Sequence, residues 1–437
     1  MRLFLALVLC LALFCLVHSV ANRNLENNAP GSDIQTQSVL TLLKRGPKGS
    51  KLYQVNSDNS NYDDAPYLLN MAPGLSSYDQ GFDNGFLLGN QYAENYDNLI
   101  IALIGDEWWE KPVQALISKF LDYEWKNFMS KQVPQEYLDE LSGMTAGGHL
   151  AGVKRDVGAI AGWGITLANF PSDLDNLLLI IQDEMENPPT DGSGLTTEER
   201  NAVSAIFKKH WKGLSCSMFG VWGSRTADGR LYTGRNLDWL KDTGISTYKL
   251  ITVHRPPNGF PHATFGWAGI WGAITGMSSQ GITVHEANLE SNDITFRGFP
   301  WVLRLRHVMA YASNIDEALQ IWSSTNNTVG FNHGFGSAKD GQAVLLETME
   351  GNTAVFYAND PREQDLVIDG QQIGLAREEA IFRTNHGYDP YSIEHYMWNG
   401  THAYKNSIFR YQLFAELFDG YQQSKTPITY KEAVSIT

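Results

Sequence analysis

Three residues of this chain stand where two short strands would meet. Cys216 opens the first strand, and Arg235 and Asp238 lie in Gly234-Arg235-Asn236-Leu237-Asp238-Trp239 at the end of the second. Between them Asp228-Gly229 is a hairpin signal. In an antiparallel hairpin the start of one strand neighbours the end of the next, so Cys216, Arg235 and Asp238 converge without any long-range assumption. A cation and an anion beside a thiol can tune its ionisation and orient it as a nucleophile. Two plainer readings stand beside this one. Arg235 and Asp238 could simply pair at a strand end, and a lone cysteine is often a buried small hydrophobe.

The elements that must position these residues follow from the chain's patterning. Met1-Arg2 precedes an apolar run from Leu3 to Val17, with small residues at Ser19 and Ala21. That order reads as a secretory signal peptide over residues 1–21; the run is shorter than the ~20 apolar residues a spanning helix needs. It implies a secreted, extracellular or lysosomal protein, and makes Asn326 (Asn-Asn-Thr) and Asn399 (Asn-Gly-Thr) candidate glycosylation sites. Cys10 and Cys15 would leave with the signal peptide, so Cys216 would remain as a single thiol with no internal disulfide to form.

Residues 22–60 are polar and read as a loose leader. From about Ser76 to Gly147 the pattern is helical, with Gly81, Gly85 and Gly89 on one face for close backbone approach; further amphipathic helices fit Trp108–Phe128 and Tyr137–Met144. A second helical block runs to about Met185, a linker occupies 186–194, and a short helix fits Thr197–Lys209. Beyond Leu214 the pattern changes to strands at Cys216–Gly223, Arg230–Asn236, Tyr248–His254 and Gly281–Ala287. Helices are expected at Pro300–Ala312 and Ile315–Ser323, the second capped by Asn314. Strands resume at Gly336–Ala338, Ala343–Thr348 and Thr353–Tyr357. The order implies an α+β body with helices covering antiparallel sheets.

Composition narrows the function. The 437 residues carry 33 Lys+Arg against 48 Asp+Glu, a net charge of −15, which lacks the basic footprint of a nucleic-acid binder. At 43% hydrophobic and 12% aromatic the chain can bury a core, which excludes disorder throughout. His285-Glu286 begins like a zinc-protease helix, but Leu289 stands where the second His would be. Gly334-Phe335-Gly336 lacks the third glycine of a dinucleotide loop. No metal and no cofactor is expected.

Cys216 at a strand start followed by Gly-Arg-Asn-Leu-Asp resembles the N-terminal-nucleophile hydrolases. More narrowly, it resembles the acyl-coenzyme A:6-aminopenicillanic acid acyltransferase type of cysteine peptidase, with acid ceramidase and choloylglycine hydrolase as more distant relatives. Gly281-Ile282-Thr283-Val284-His285-Glu286-Ala287-Asn288, Arg383-Thr384-Asn385-His386 and Ser407-Ile408-Phe409-Arg410 resemble three further motifs of that family, in its order.

The resemblance implies an αββα sandwich of antiparallel sheets, preceded by a mainly helical pro-segment over 22–215, with 216–437 as the catalytic region. It also implies a mechanism. The chain would cut itself between Ser215 and Cys216, and the new α-amine (ordinary pKa about 7.7–8.0) would serve as base. The thiol would attack a small acyl-amide, lipid-amide or thioester carbonyl, and the two cleaved chains would stay associated. Asn385 would donate to the oxyanion, and Arg235 and Asp238 would orient amine and thiol. Arg410 and Ser407 would hold the site or bind substrate, with Asn288 a second candidate donor. Trp239, with Trp267 and Trp271, could line an apolar pocket or simply pack in the core. Two rivals remain. One is a conventional thiol protease using His285, His333 or His386; the other is an uncleaved secreted glycoprotein with a binding or developmental role.

Overall fold

The computed structural model describes residues 40–56, 65–108, 110–169, 215–238, 244–291, 293–368, 370–397 and 402–436. The expected linker at 186–194, the helix at 197–209, the signal peptide, Trp239 and Asn399 lie outside them.

The first described segment departs from the sequence expectation. Residues read as a loose leader form β1 (Leu40–Arg45) and β2 (Lys51–Val55), which pair with each other and with β3 (Tyr67–Asn70). No period-2 signal marks them, since most of β1 faces solvent, Leu42 and Leu43 included, and the buried residues of β2 stand three apart. Four helices follow: α1 (Ser77–Ile104), α2 (Lys111–Asn127), α3 (Gln135–Leu150) and α4 (Val157–Leu167). The glycine face of α1 packs on α3. A Cβ at Gly85 would lie 2.1 Å from Met144 O, and one at Gly147 would lie 1.9 Å from Phe82 O. Only glycine permits backbones this close.

Among the described residues the larger sheet has ten strands. β3 joins β6 (Lys249–His254) in parallel; β7 (His262–Trp267), β8 (Thr275–Ser278), β9 (Ile282–Asn288), β10 (Phe331–Ser337), β11 (Gln342–Met349) and β12 (Asn352–Phe356) follow in antiparallel order. A three-stranded sheet places β4 (Ser215–Val221) between β5 (Tyr232–Asp238) and β15 (Ala380–Arg383); β13 (Val367–Ile368) and β14 (Gln371–Gln372) form a separate short ribbon.

Alternation along β10 shows how the layers stack. His333 and Phe335 face the ring of Trp322 on α6 (Ile315–Ser323), which follows α5 (Trp301–Tyr311). Gly334 and Gly336 turn the other way, where a Cβ would lie 3.2 Å from Met218 Sδ and 2.9 Å from Thr233 Cγ2. These glycines belong to no dinucleotide loop; their bareness lets the small sheet approach. On its far side Phe219 packs against Phe414 and Phe418 of α8 (His402–Gln423). The layers are therefore helices, large sheet, small sheet, helix. Asn314 caps α6 as expected, accepting from Glu317 N–H. The helices α7 (Pro390–His395), α8 and α9 (Tyr430–Ile436) were not anticipated: α8 carries apolar residues on both its buried and exposed faces, so its period is blurred.

Candidate active site

The hairpin register places Cys216 opposite Leu237, Met218 opposite Arg235 and Ser215 opposite Asp238. Because side chains alternate across a strand, Cys216 faces the large sheet and Ser217 faces α8. Cys216 Sγ lies 3.4 Å from Arg235 Nη2 and 3.7 Å from Asn288 Oδ1 at the end of β9. Arg235 also donates through Nε to Glu286 O at 2.7 Å and through Nη2 to the Glu286 carboxylate, both side chains being buried. Glu286 and Asn288 are two apart on one strand and so share a face.

The backbone of Cys216 is held as firmly as its side chain. Its N–H donates to Asn385 Oδ1 at 2.8 Å, and its carbonyl accepts from Arg410 Nη1. Arg410 reaches in from α8 and also donates to Ser217 Oγ and to Asn385 Oδ1, each at 2.8 Å. Asn385 Nδ2 donates to Asn288 O at 3.0 Å. In this uncleaved chain the Asn385 oxygen faces the nitrogen of Cys216, and one N–H of its NH2 goes to a backbone carbonyl. Asn288 has the same character, since its Nδ2 donates to Glu290 Oε1 at 3.1 Å.

Behind Asn385 lies a closed polar ring. Ser407 Oγ accepts from Asn385 N–H at 2.7 Å, lies 2.8 Å from His386 Nδ1, and donates to Thr384 Oγ1. Thr384 Oγ1 in turn donates to Ser407 O, and His386 Nε2 lies 3.1 Å from Tyr388 OH. Tyr396 OH donates to Asn385 O.

Charge follows burial. Cys216 is 0% exposed, and desolvation first, then the Glu286 carboxylate, push its thiol up to about 12 against the pull of Arg235 and Arg410. The thiol is protonated in this state. Desolvation raises the Glu286 carboxyl and lowers the Arg410 guanidinium, the latter opposed by Asp238. Burial and then Arg383 press His386 down to about 3, and burial and then Arg235 press His285 to about 3. Among the described residues no imidazole is hydrogen-bonded to Sγ: His386 is engaged by Ser407 and Tyr388, while both ring nitrogens of His285 and of His333 lack partners.

The structure therefore brings together Cys216, Arg235, Asn288, Asn385, Ser407 and Arg410. Asp238 pairs through its backbone with Ser215 and is exposed; its carboxylate acts on the charge of Arg410 rather than bonding to the thiol. Trp271 packs in the main core between His254 and Arg306, and Trp267 is half-buried on β7, which supports their plainer role. Asn326 is exposed, while Thr328 of its tripeptide is buried. Sequence reasoning missed Glu286, Ser217 and Tyr396. Glu286 was within reach, because the segment around it reads as a strand and its position shares a face with Asn288.

No described helix is long and apolar enough to cross a membrane. Among the described residues no cluster of three or more His, Cys, Asp or Glu could hold a metal ion.

Residues 224–433 match the family model described as acyl-coenzyme A:6-aminopenicillanic acid acyl-transferase. The span includes Arg235, Asp238, Asn288, Asn385, Ser407 and Arg410; Cys216 precedes it. The resemblance read from four motifs thus stands on an independent match. Protein dcd1B of Dictyostelium discoideum is 30% identical over 150 residues, covering 34% of this chain and 30% of that relative. Protein dcd1A of the same organism is 22% identical over 374 residues, 83% of this chain and 75% of the relative. Among solved structures, the Caenorhabditis elegans N-acylethanolamine-hydrolyzing acid amidase ortholog is 16% identical, covering 39% of this chain and 70% of its own, with a TM-score of 0.30. The conjugated bile acid hydrolase of Clostridium perfringens is 17% identical over 33% of this chain and 51% of its own, with a TM-score of 0.26.

Proposed function

We propose that this protein is a self-processing thiol amidohydrolase or acyltransferase that enters the secretory route and works outside the cell or in lysosomes. The observation that carries the reading is that both the nitrogen and the sulfur of one residue are gripped. Asn385 Oδ1 receives the Cys216 N–H, while Arg235 and Asn288 meet Sγ. A merely packed cysteine needs no such frame. In self-cleavage the sulfur attacks the Ser215 carbonyl carbon, the bond to the Cys216 nitrogen breaks, and the thiol proton passes to that nitrogen. Water then releases Ser215 as a carboxylate and restores the thiol. The freed α-amine stays beside Asn385 Oδ1, where it can take the thiol proton in each later turnover. The substrate is an acyl amide, lipid amide or thioester, and water or an amine receives the acyl group. Residues before and after the cut remain joined through shared sheet and core.

The second reading, an uncleaved glycoprotein, is favoured by the burial and neutrality of the thiol. The first reading accommodates that state as a precursor whose nucleophile is released by chain opening.

Denaturing electrophoresis and intact mass of the secreted protein, beside Cys216→Ala, test the proposal. Two fragments, one beginning at Cys216, with the variant uncut, are expected. A single chain in both would overturn self-processing.

A further inference from the structure

We propose that Glu290 is a positioning residue that fixes which end of the Asn288 amide faces the Cys216 thiol. An asparagine amide can present either a donor or an acceptor, and which one it presents is decided by its other contacts. Asn288 Nδ2 donates to Glu290 Oε1 at 3.1 Å, which leaves Oδ1 on the side of Sγ, 3.7 Å away. Both side chains are buried, Asn288 at 6% and Glu290 at 8% exposure, so water is a poor substitute for either partner. A carboxylate can only accept here; it therefore forces the amide to turn its oxygen to the sulfur.

The consequence is chemical. An acceptor beside Sγ favours S–H, whereas a donor would favour the thiolate. Glu290 thus adds to the bias toward S–H that burial and Glu286 set, against the Asn288 backbone N–H that favours the thiolate, and keeps the Asn288 NH2 away from the reacting atoms. The other charged groups around the thiol are Glu286 on β9, Arg235 on β5 and Arg410 on α8; Glu290 itself is faced by Tyr396, whose hydroxyl burial first and then the Glu290 charge make less acidic. The inference rests on Cys216 being the reactive thiol, but not on whether the chain cleaves.

The test is the pH profile of mixed-disulfide formation between the full chain and a small methanethiosulfonate, the Cys216 thiolate attacking its sulfur and methanesulfinate leaving. Removal of the signal peptide leaves Cys216 as the single cysteine, and intact mass records separately whether the chain has cleaved. Glu290→Leu removes the acceptor, frees the amide to turn, and is expected to shift the profile about one pH unit downward, roughly tenfold faster labelling below both midpoints. Glu290→Gln removes the charge but restores an acceptor, and is expected to label within threefold of the unsubstituted protein. An unchanged or upward shift in Glu290→Leu, or an equal shift in both variants, would overturn the proposal. Should Glu290→Leu fail to fold, Asn288→Ala provides the check: adding Glu290→Gln to it is expected to change nothing further, and a further change above threefold would show that Glu290 acts on the thiol directly.

Discussion

Two buried polar clusters join distant parts of this chain, and they answer differently to a break at Ser215-Cys216. The first gathers Cys216, Asn385, Arg410 and Ser407, and two of its bonds use the backbone of Cys216 itself. The second lies across the large sheet, where Arg306 of α5 makes a bidentate pair with Glu140 of α3 at 2.6 and 2.7 Å. Trp271 and Tyr137 rings flank that guanidinium, and Glu136 accepts from Tyr311 OH nearby. Opening the chain would convert an amide nitrogen of the first cluster into an amine. It would leave every group of the second unchanged, though that cluster spans the two halves. Such a break would alter one cluster and leave the other as it is.

The largest effect is expected from breaking the indifferent cluster. Glu140→Leu would strand a buried guanidinium and lower stability by about 3–5 kcal/mol in urea unfolding, while adding Arg306→Met should recover most of the loss. If the single and double variants are equally unstable, the pair is not the tie between the halves. At the thiol cluster, Asn385→Ala leaves the Cys216 N–H and Arg410 without their shared acceptor and should slow self-cleavage by roughly tenfold or more, about 1.4 kcal/mol of barrier at least, followed as the fraction of cut chain over time. Stability should suffer less than the rate does.

The histidines sharpen the contrast. Burial holds His262, His285 and His386 down near about 3. The folded chain therefore binds fewer protons than the unfolded chain between about 6.5 and about 3, and stability falls as pH falls through that window. Thermal unfolding from pH 7 to pH 4 should show a steady decline, and His386→Gln should leave the neutral-pH limb of the cleavage profile in place; a lost limb would revive the conventional protease. The smallest effect is expected at the exposed Arg155–Asp97 pair on the helical segment, where Asp97→Asn should cost about 0.2–1 kcal/mol at most.

Much of this was legible before the structure. The hairpin rule alone predicted that Cys216 and Arg235 would meet, because register in a two-stranded ribbon is a local property. The glycines at 81, 85 and 89 predicted a close helix contact for the same reason. What stayed hidden is non-local or two-sided. Asn385 and Arg410 converge on Cys216 through tertiary packing that no spacing encodes; only the family resemblance pointed to them. The direction in which each amide faces depends on second partners such as Glu290 and Asn288 O. The strands β1 and β2 escaped notice because β1 is almost wholly exposed and the buried residues of β2, Leu52 and Val55, stand three apart rather than two, so neither shows a strand's period.

Those early strands carry one more consequence. β3 lies beside β6 and supplies its outer hydrogen-bonding partner. A chain begun at Cys216 would therefore offer β6 as an open edge, with a row of bare N–H and C=O groups. Such an edge is a template for pairing with other copies. The segment before Cys216 would, in that light, guard β6 against self-association as well as cover it.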